Sequence, residues 1–232
     1  MNHADIMEIL LKGADAEKGS ARLRYFRADK QSVKFLGFTA PEINAFAKRY
    51  SKELSFADLE ELLKSEWHEP RSLAIRIMKL IIAKKDGAKQ LENIYVIFTR
   101  NVEYIDNWAL VDESAPYIPG RFWRESGDYS KFWEYADSKE LFKQRIAIVS
   151  LFYNIRNYRE TDMTFKIAER FLKHKHDLIH KAVGWSLREA GKVDESALLL
   201  FLDRYAPAMP RTMLRYALEK LDADKKKHYM TV

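Results

Sequence analysis

The chain contains no cysteine, so disulfides, thiolate nucleophiles and cysteine-based zinc sites are excluded, and a reducing compartment, the cytoplasm, is the expected setting. Glycine and proline are scarce, eight and six of 232 residues, which argues against a fold of many short strands joined by tight turns. No apolar run approaches the length of a membrane span. The opening stretch MNHADIMEILLKGADAEKG also lacks the basic start and long apolar core of an export signal, so no membrane partner is expected. Neither a glycine-rich phosphate loop nor a serine-centred nucleophile elbow occurs, which sets aside nucleotide-dependent and acyl-transfer enzymes.

What is present is the vocabulary of helices. Hydrophobic residues make up 47% of the chain, enough for one substantial core, and residues 1–232 read as a single domain with a polar tail from about residue 222 that is expected to fray. Pro41 opens PEINAFAKRY, Ser55 caps FADLEELLKS, Pro70 sits early in HEPRSLAIRIMKLIIAKKDG, and Pro210 opens MPRTMLRYALEKL. Further helical periods run through HEPRSLAIRIMKLIIAKKDG, AKQLENIYVIFTR, IDNWALVDESA, SKELFKQRIAIVSLFYNIRN, DMTFKIAERFLK, DLIHKAVGWSLREAG and DESALLLFLDRYA. Basic-plus-small elements recur at Arg71, Arg145, Lys181 and Arg211, with nearest intervals of roughly 30 to 40 residues, close to helical-pair repeats of the HEAT type. The expectation is an all-α, HEAT-like helical-repeat solenoid whose concave face receives an extended partner.

The charge balance, +6 with a pI near 9.2, suits a polyanion. Three helix faces sharpen this. In DLIHKAVGWSLREAG, Ile179, Ala182, Val183, Leu187 and Ala190 form one apolar stripe, and Lys181, Trp185 and Arg188 fall opposite it. Trp185 either packs on a neighbouring helix or serves as an aromatic plate between cations against a sugar-phosphate backbone. In IDNWALVDESA, Asp112 shares a face with Ile105, Trp108 and Ala115; a carboxylate there implies a structural ion pair or an active site. Arg145, set among Phe142, Ile148, Val149 and Phe152, also needs an anion, either Asp112 or a phosphate. Arg71, Arg211 and Arg215 read as further phosphate contacts or solvated cations. His174, His176 and His180 are spaced for a metal, but Lys173, Lys175 and Lys181 beside them oppose one, and no metal or cofactor is expected. Trp123 and Trp133 read as inter-helix core.

Taken in order, NWALVDESAP, FKQRIAIV, KAVGWSLRE and MPRTMLRYALEK resemble the AlkD-type DNA alkylation repair family, and YFRADKQSVKFLGFTAPEI and WHEPRSLAIRIM resemble its N-terminal half. The resemblance implies a DNA glycosylase that excises positively charged N3- and N7-alkylated purines from double-stranded DNA by hydrolysing the N-glycosidic bond without flipping the base. By motif position it implies Asp112 as catalytic carboxylate, Trp108 and Trp185 as the two rings, and Arg145 as the arginine at the backbone. Lys181 and Arg188 flank Trp185 as DNA-binding cations. The sequence departs from the family at Ala109, where many relatives carry an acid, and at Thr39, where a larger polar residue can occur. A monomer with no obligate protein partner is expected. The alternatives are a non-catalytic DNA-structure binder on the same scaffold and a helical protein-binding scaffold.

Overall fold

A computed structural model describes residues 1–26 and 33–231; residues 27–32, within the family-like segment that begins at Tyr25, and Val232 lie outside that description. The helices are, in chain order, α1 (His3–Lys12), α2 (Ala16–Arg22), α3 (Ala40–Tyr50), α4 (Phe56–Leu63), α5 (His68–Ile82), α6 (Ala88–Arg100), α7 (Trp108–Ser114) and α8 (Pro119–Ser126). They continue with α9 (Ser130–Asp137), α10 (Leu141–Ser150), α11 (Phe152–Tyr158), α12 (Asp162–Phe171), α13 (Asp177–Gly191), α14 (Glu195–Tyr205), α15 (Arg211–Leu218) and α16 (Ala223–Thr231). Extended pairing among the described residues is limited to one bridge, Lys34 to Trp67. The fold is all-α, as composition and periodicity predict.

Side-chain caps explain where many helices begin. Asn2, Thr39 and Ser55 each accept from the third helical residue, while Asp5, Glu42 and Asp58 reach back to the cap backbone. The chain forms two compact units, Met1–Phe122 and Trp123–Val232. In the first, α5 is the central helix, packed by α3, α4, α6 and α7. Leu73, Ala74, Ile75, Ile77 and Met78 on it are wholly buried, as expected of a helix covered on most sides. Arg71, expected at a phosphate, is part of this packing instead. It is 5% exposed, pairs with Asp106 at 2.7 Å and donates to the carbonyls of Tyr104, Trp67 and Glu66. Its donors are consumed in tying α5 to the turn before α7, so no guanidinium face is left for DNA.

In the second unit α13 is central, packed by α10, α11, α12, α14 and most extensively α15. The apolar stripe from Ile179 to Ala190 is wholly buried. Gly184 lets α15 come close: a Cβ there would stand 2.4 Å from the Met213 carbonyl and 2.5 Å from the Tyr216 Cβ. Two sequence expectations differ from the structure. SKELFKQRIAIVSLFYNIRN is two helices, α10 and α11, broken at Leu151, where the Ser150 hydroxyl donates to the Ala147 carbonyl at 2.7 Å and competes with the helical ladder. The polar C-terminal stretch is helical in α16, where Tyr229 is buried and its hydroxyl donates to Asp203 at 2.5 Å. Of the two tryptophans read as core, Trp123 is 1% exposed, whereas Trp133 reaches the surface.

Candidate functional site

The site begins with a cap. Asn107 is fully buried, and its side-chain oxygen accepts from the Leu110 N–H at 3.1 Å, which starts α7 at Trp108. Trp108 is thereby held at a helix start, stacked on Phe26 with ring centroids 5.1 Å apart and planes 20° apart. Its indole N–H donates to the Tyr25 carbonyl at 3.3 Å. Asp112, one turn later and half-buried, lines the same cleft, whose volume is about 570 Å³. The facing wall is a stripe of α5: His68, Ser72, Arg76 and Lys79. All of these residues lie in the first unit.

The electrostatics of the cleft are mixed by design of packing rather than by one dominant charge. His68 is buried against Phe35 and Phe26, with ring centroids 4.8 and 5.9 Å away. Desolvation, helped by the charges of Arg71, Arg22 and Arg76, lowers its pKa to about 3, so it is a neutral ring at physiological pH. Glu113, the residue after Asp112, accepts from the Ser72 hydroxyl at 2.7 Å and pairs with Arg76 Nε at 2.5 Å. Burial pushes its carboxyl up, while Arg76, Ser72 and Lys79 pull it back; the close guanidinium contact marks it as the ionised partner of Arg76. Arg76 also donates to the Ala40 carbonyl at 2.9 Å. The pair therefore locks α7 onto α5 and α3. Lys79 lies half-buried with its Nζ 4.0 Å from the centre of the Tyr117 ring.

The second unit holds the other predicted residues. Arg145 is 4% exposed and donates to the Leu178 carbonyl at 2.6 Å, which links α10 to the first turn of α13. Trp185 is half-buried, meets Phe152 edge-on at 4.4 Å and donates to Glu189 at 3.3 Å. Lys181 pairs with Asp177 at 2.6 Å, and Arg188 is paired with Glu219. Arg211 donates to the Met230 carbonyl at 2.7 Å, while Arg215 is exposed on α15. The histidines are used within the turn before α13. His174 meets Gln144 at 3.0 Å, His176 accepts from the Leu178 N–H at 3.2 Å, and the His180 ring meets the His174 carbonyl at 2.5 Å.

The structure thus joins Trp108 and Asp112 in one cleft and places Trp185 on α13, the helix whose first turn Arg145 holds. His68, Arg76, Lys79 and Glu113 escaped sequence reasoning. A signal was available in HEPRSLAIRIMKL, where Ser72, Arg76 and Lys79 form a polar line at i, i+4, i+7 through an otherwise apolar helix. Chemically, a carboxylate beside an aromatic face in a partly desolvated cleft favours a positive charge.

No curated protein matches the chain. Among solved structures, a protein described as a predicted DNA alkylation repair enzyme from Enterococcus faecalis superposes with a TM-score of 0.70 at 16% identity. The match covers 90% of this chain and 97% of that one, which shows a shared fold. The family model described as DNA alkylation repair enzyme matches residues 6–221. With that match spanning nearly its whole length, the chain belongs to the DNA alkylation repair enzyme family.

Proposed function

We propose that the protein is a monomeric DNA glycosylase that hydrolyses the N-glycosidic bond of positively charged N3- or N7-alkylated purines in duplex DNA, without extruding the base. The observation that carries this reading is the placement of Asp112 one turn from Trp108 on the wall of a cleft, in a chain of the DNA alkylation repair family. An alkylated cationic purine is already a good leaving group. As its bond to C1′ breaks, the electron pair departs with the base and positive charge grows on the sugar. The Asp112 carboxylate meets that charge and orients the water whose oxygen then bonds to C1′. The face of Trp108 adds attraction for the polarised sugar.

On the second unit, Trp185 offers the DNA another aromatic face, Lys181, Arg188, Arg211 and Arg215 supply cations for phosphates, and the buried Arg145 holds the start of α13 that carries Trp185. The Ser72–Arg76–Glu113 contacts support this reading by giving α7 a fixed seat, since a carboxylate works on developing charge only when it is held in place. Incubation with methylated duplex DNA, followed by chromatography of the released bases, tests the proposal. N7-methylguanine or N3-methyladenine is expected, and release of neither base by the wild-type protein overturns it.

A further inference from the structure

Arg22, Arg76 and Lys79 are the cations that line the cleft. Arg76 is taken by Glu113 and the Ala40 carbonyl. Arg22 and Lys79, both half-buried, have no ion pair and no hydrogen bond among the described residues. Lys79 rests instead on the Tyr117 ring, whose face favours the ammonium. A half-buried cation without an anion is costly unless a ligand brings one.

The two cations stand at different places along the cleft. Arg22 ends α2, and its charge acts on His68 at the start of α5, whereas Lys79 lies about 16 Å further along that helix. Ser72 and Arg76, between these points, hold Glu113, so the part of α7 that carries Asp112 meets α5 between the two cations. A nucleic-acid strand has the matching order. Each sugar lies between two phosphates, and as a base leaves, the sugar gains positive charge while the phosphates stay negative. We infer that Arg22 and Lys79 hold phosphates on opposite sides of the lesion's deoxyribose, the cation–acid–cation order of the cleft meeting a phosphate–sugar–phosphate order in the damaged strand. The inference rests on the reading that this strand enters the cleft. Without the two cations, the Asp112 carboxylate repels the polyanion it must approach; with them, the strand is drawn in and registered so that the sugar faces the acid.

The test reads binding. The full chain is titrated with a duplex carrying a tetrahydrofuran abasic analogue, which has no base to release, and single phosphates on either side of the analogue are replaced by neutral methylphosphonates. Arg22→Gln and Lys79→Gln should each weaken binding of the all-phosphate duplex about tenfold. Each should also make the slope of log affinity against log salt shallower by about one. A methylphosphonate on one side of the analogue should cost the wild type a similar factor yet leave Lys79→Gln unaffected, and one on the other side should do the same for Arg22→Gln. Lys79→Arg, which keeps the charge, should regain the sensitivity. Because the readout is the coupling between a residue and a phosphate, packing lost against Tyr117 cancels from it. Losses that simply add at every phosphate for either variant, coupling of both residues to the same side, or binding at wild-type strength by either variant each overturn the proposal. Since the analogue has no base, these couplings stay readable if base release from methylated DNA fails, and their failure leaves base release standing.

Discussion

At the scale of single residues, burial decides which side chains carry charge. His68 titrates near 3 in the folded chain, against 6.5 for an ordinary histidine. Between these values the unfolded chain binds more protons, so this contribution to stability is complete above about pH 6.5 and is lost as pH falls toward 3. By pH 4.5 the loss is about 3 kcal/mol. Thermal melts of His68→Gln should therefore converge on, or cross, those of the wild type as pH drops from 7 to 4.5; a constant gap would show that the ring is not held neutral. Trp108 and Asp112 were legible in the sequence because an acid within an apolar stripe is a local pattern. His68 and Lys79 were not, because their surroundings are Phe26 and Phe35 in one case and Tyr117 in the other, all distant in the chain from α5, which no local window contains.

At the scale of helices, most of the pattern was readable and the departures have local causes. DLIHKAVGWSLREAG is α13 from end to end, and its apolar stripe is the buried one. α7 starts three residues later than its periodicity suggests because Asn107 captures the Leu110 N–H. The close approach of α15 to α13 at Gly184 was not readable, since a glycine inside a helical period shows only a cost in propensity. Gly184→Ala gains about 1 kcal/mol of helix propensity but drives a methyl into the Met213 carbonyl. A net destabilisation of about 1–3 kcal/mol is expected in chemical denaturation. A stabilised variant would mean that the two helices have room to separate. The same substitution should disturb Trp185, the next residue.

At the scale of the whole molecule, the net charge of +6 is modest, so DNA affinity must come from where cations sit. Sequence recurrence suggested Arg71 as readily as Arg215, yet one is buried among carbonyls and the other is exposed on α15. Duplex binding should weaken as salt rises, and Arg215→Ala should make the slope of log affinity against log salt shallower by about one. Arg71→Ala should instead lower the melting temperature. Absence of duplex binding even at low salt would favour a protein-binding scaffold. The most direct test of the account is single-turnover release of N7-methylguanine from a defined duplex by wild type and Asp112→Asn. The variant should still bind the duplex but release the base at least about 100-fold more slowly. Release at the wild-type rate by Asp112→Asn would contradict it.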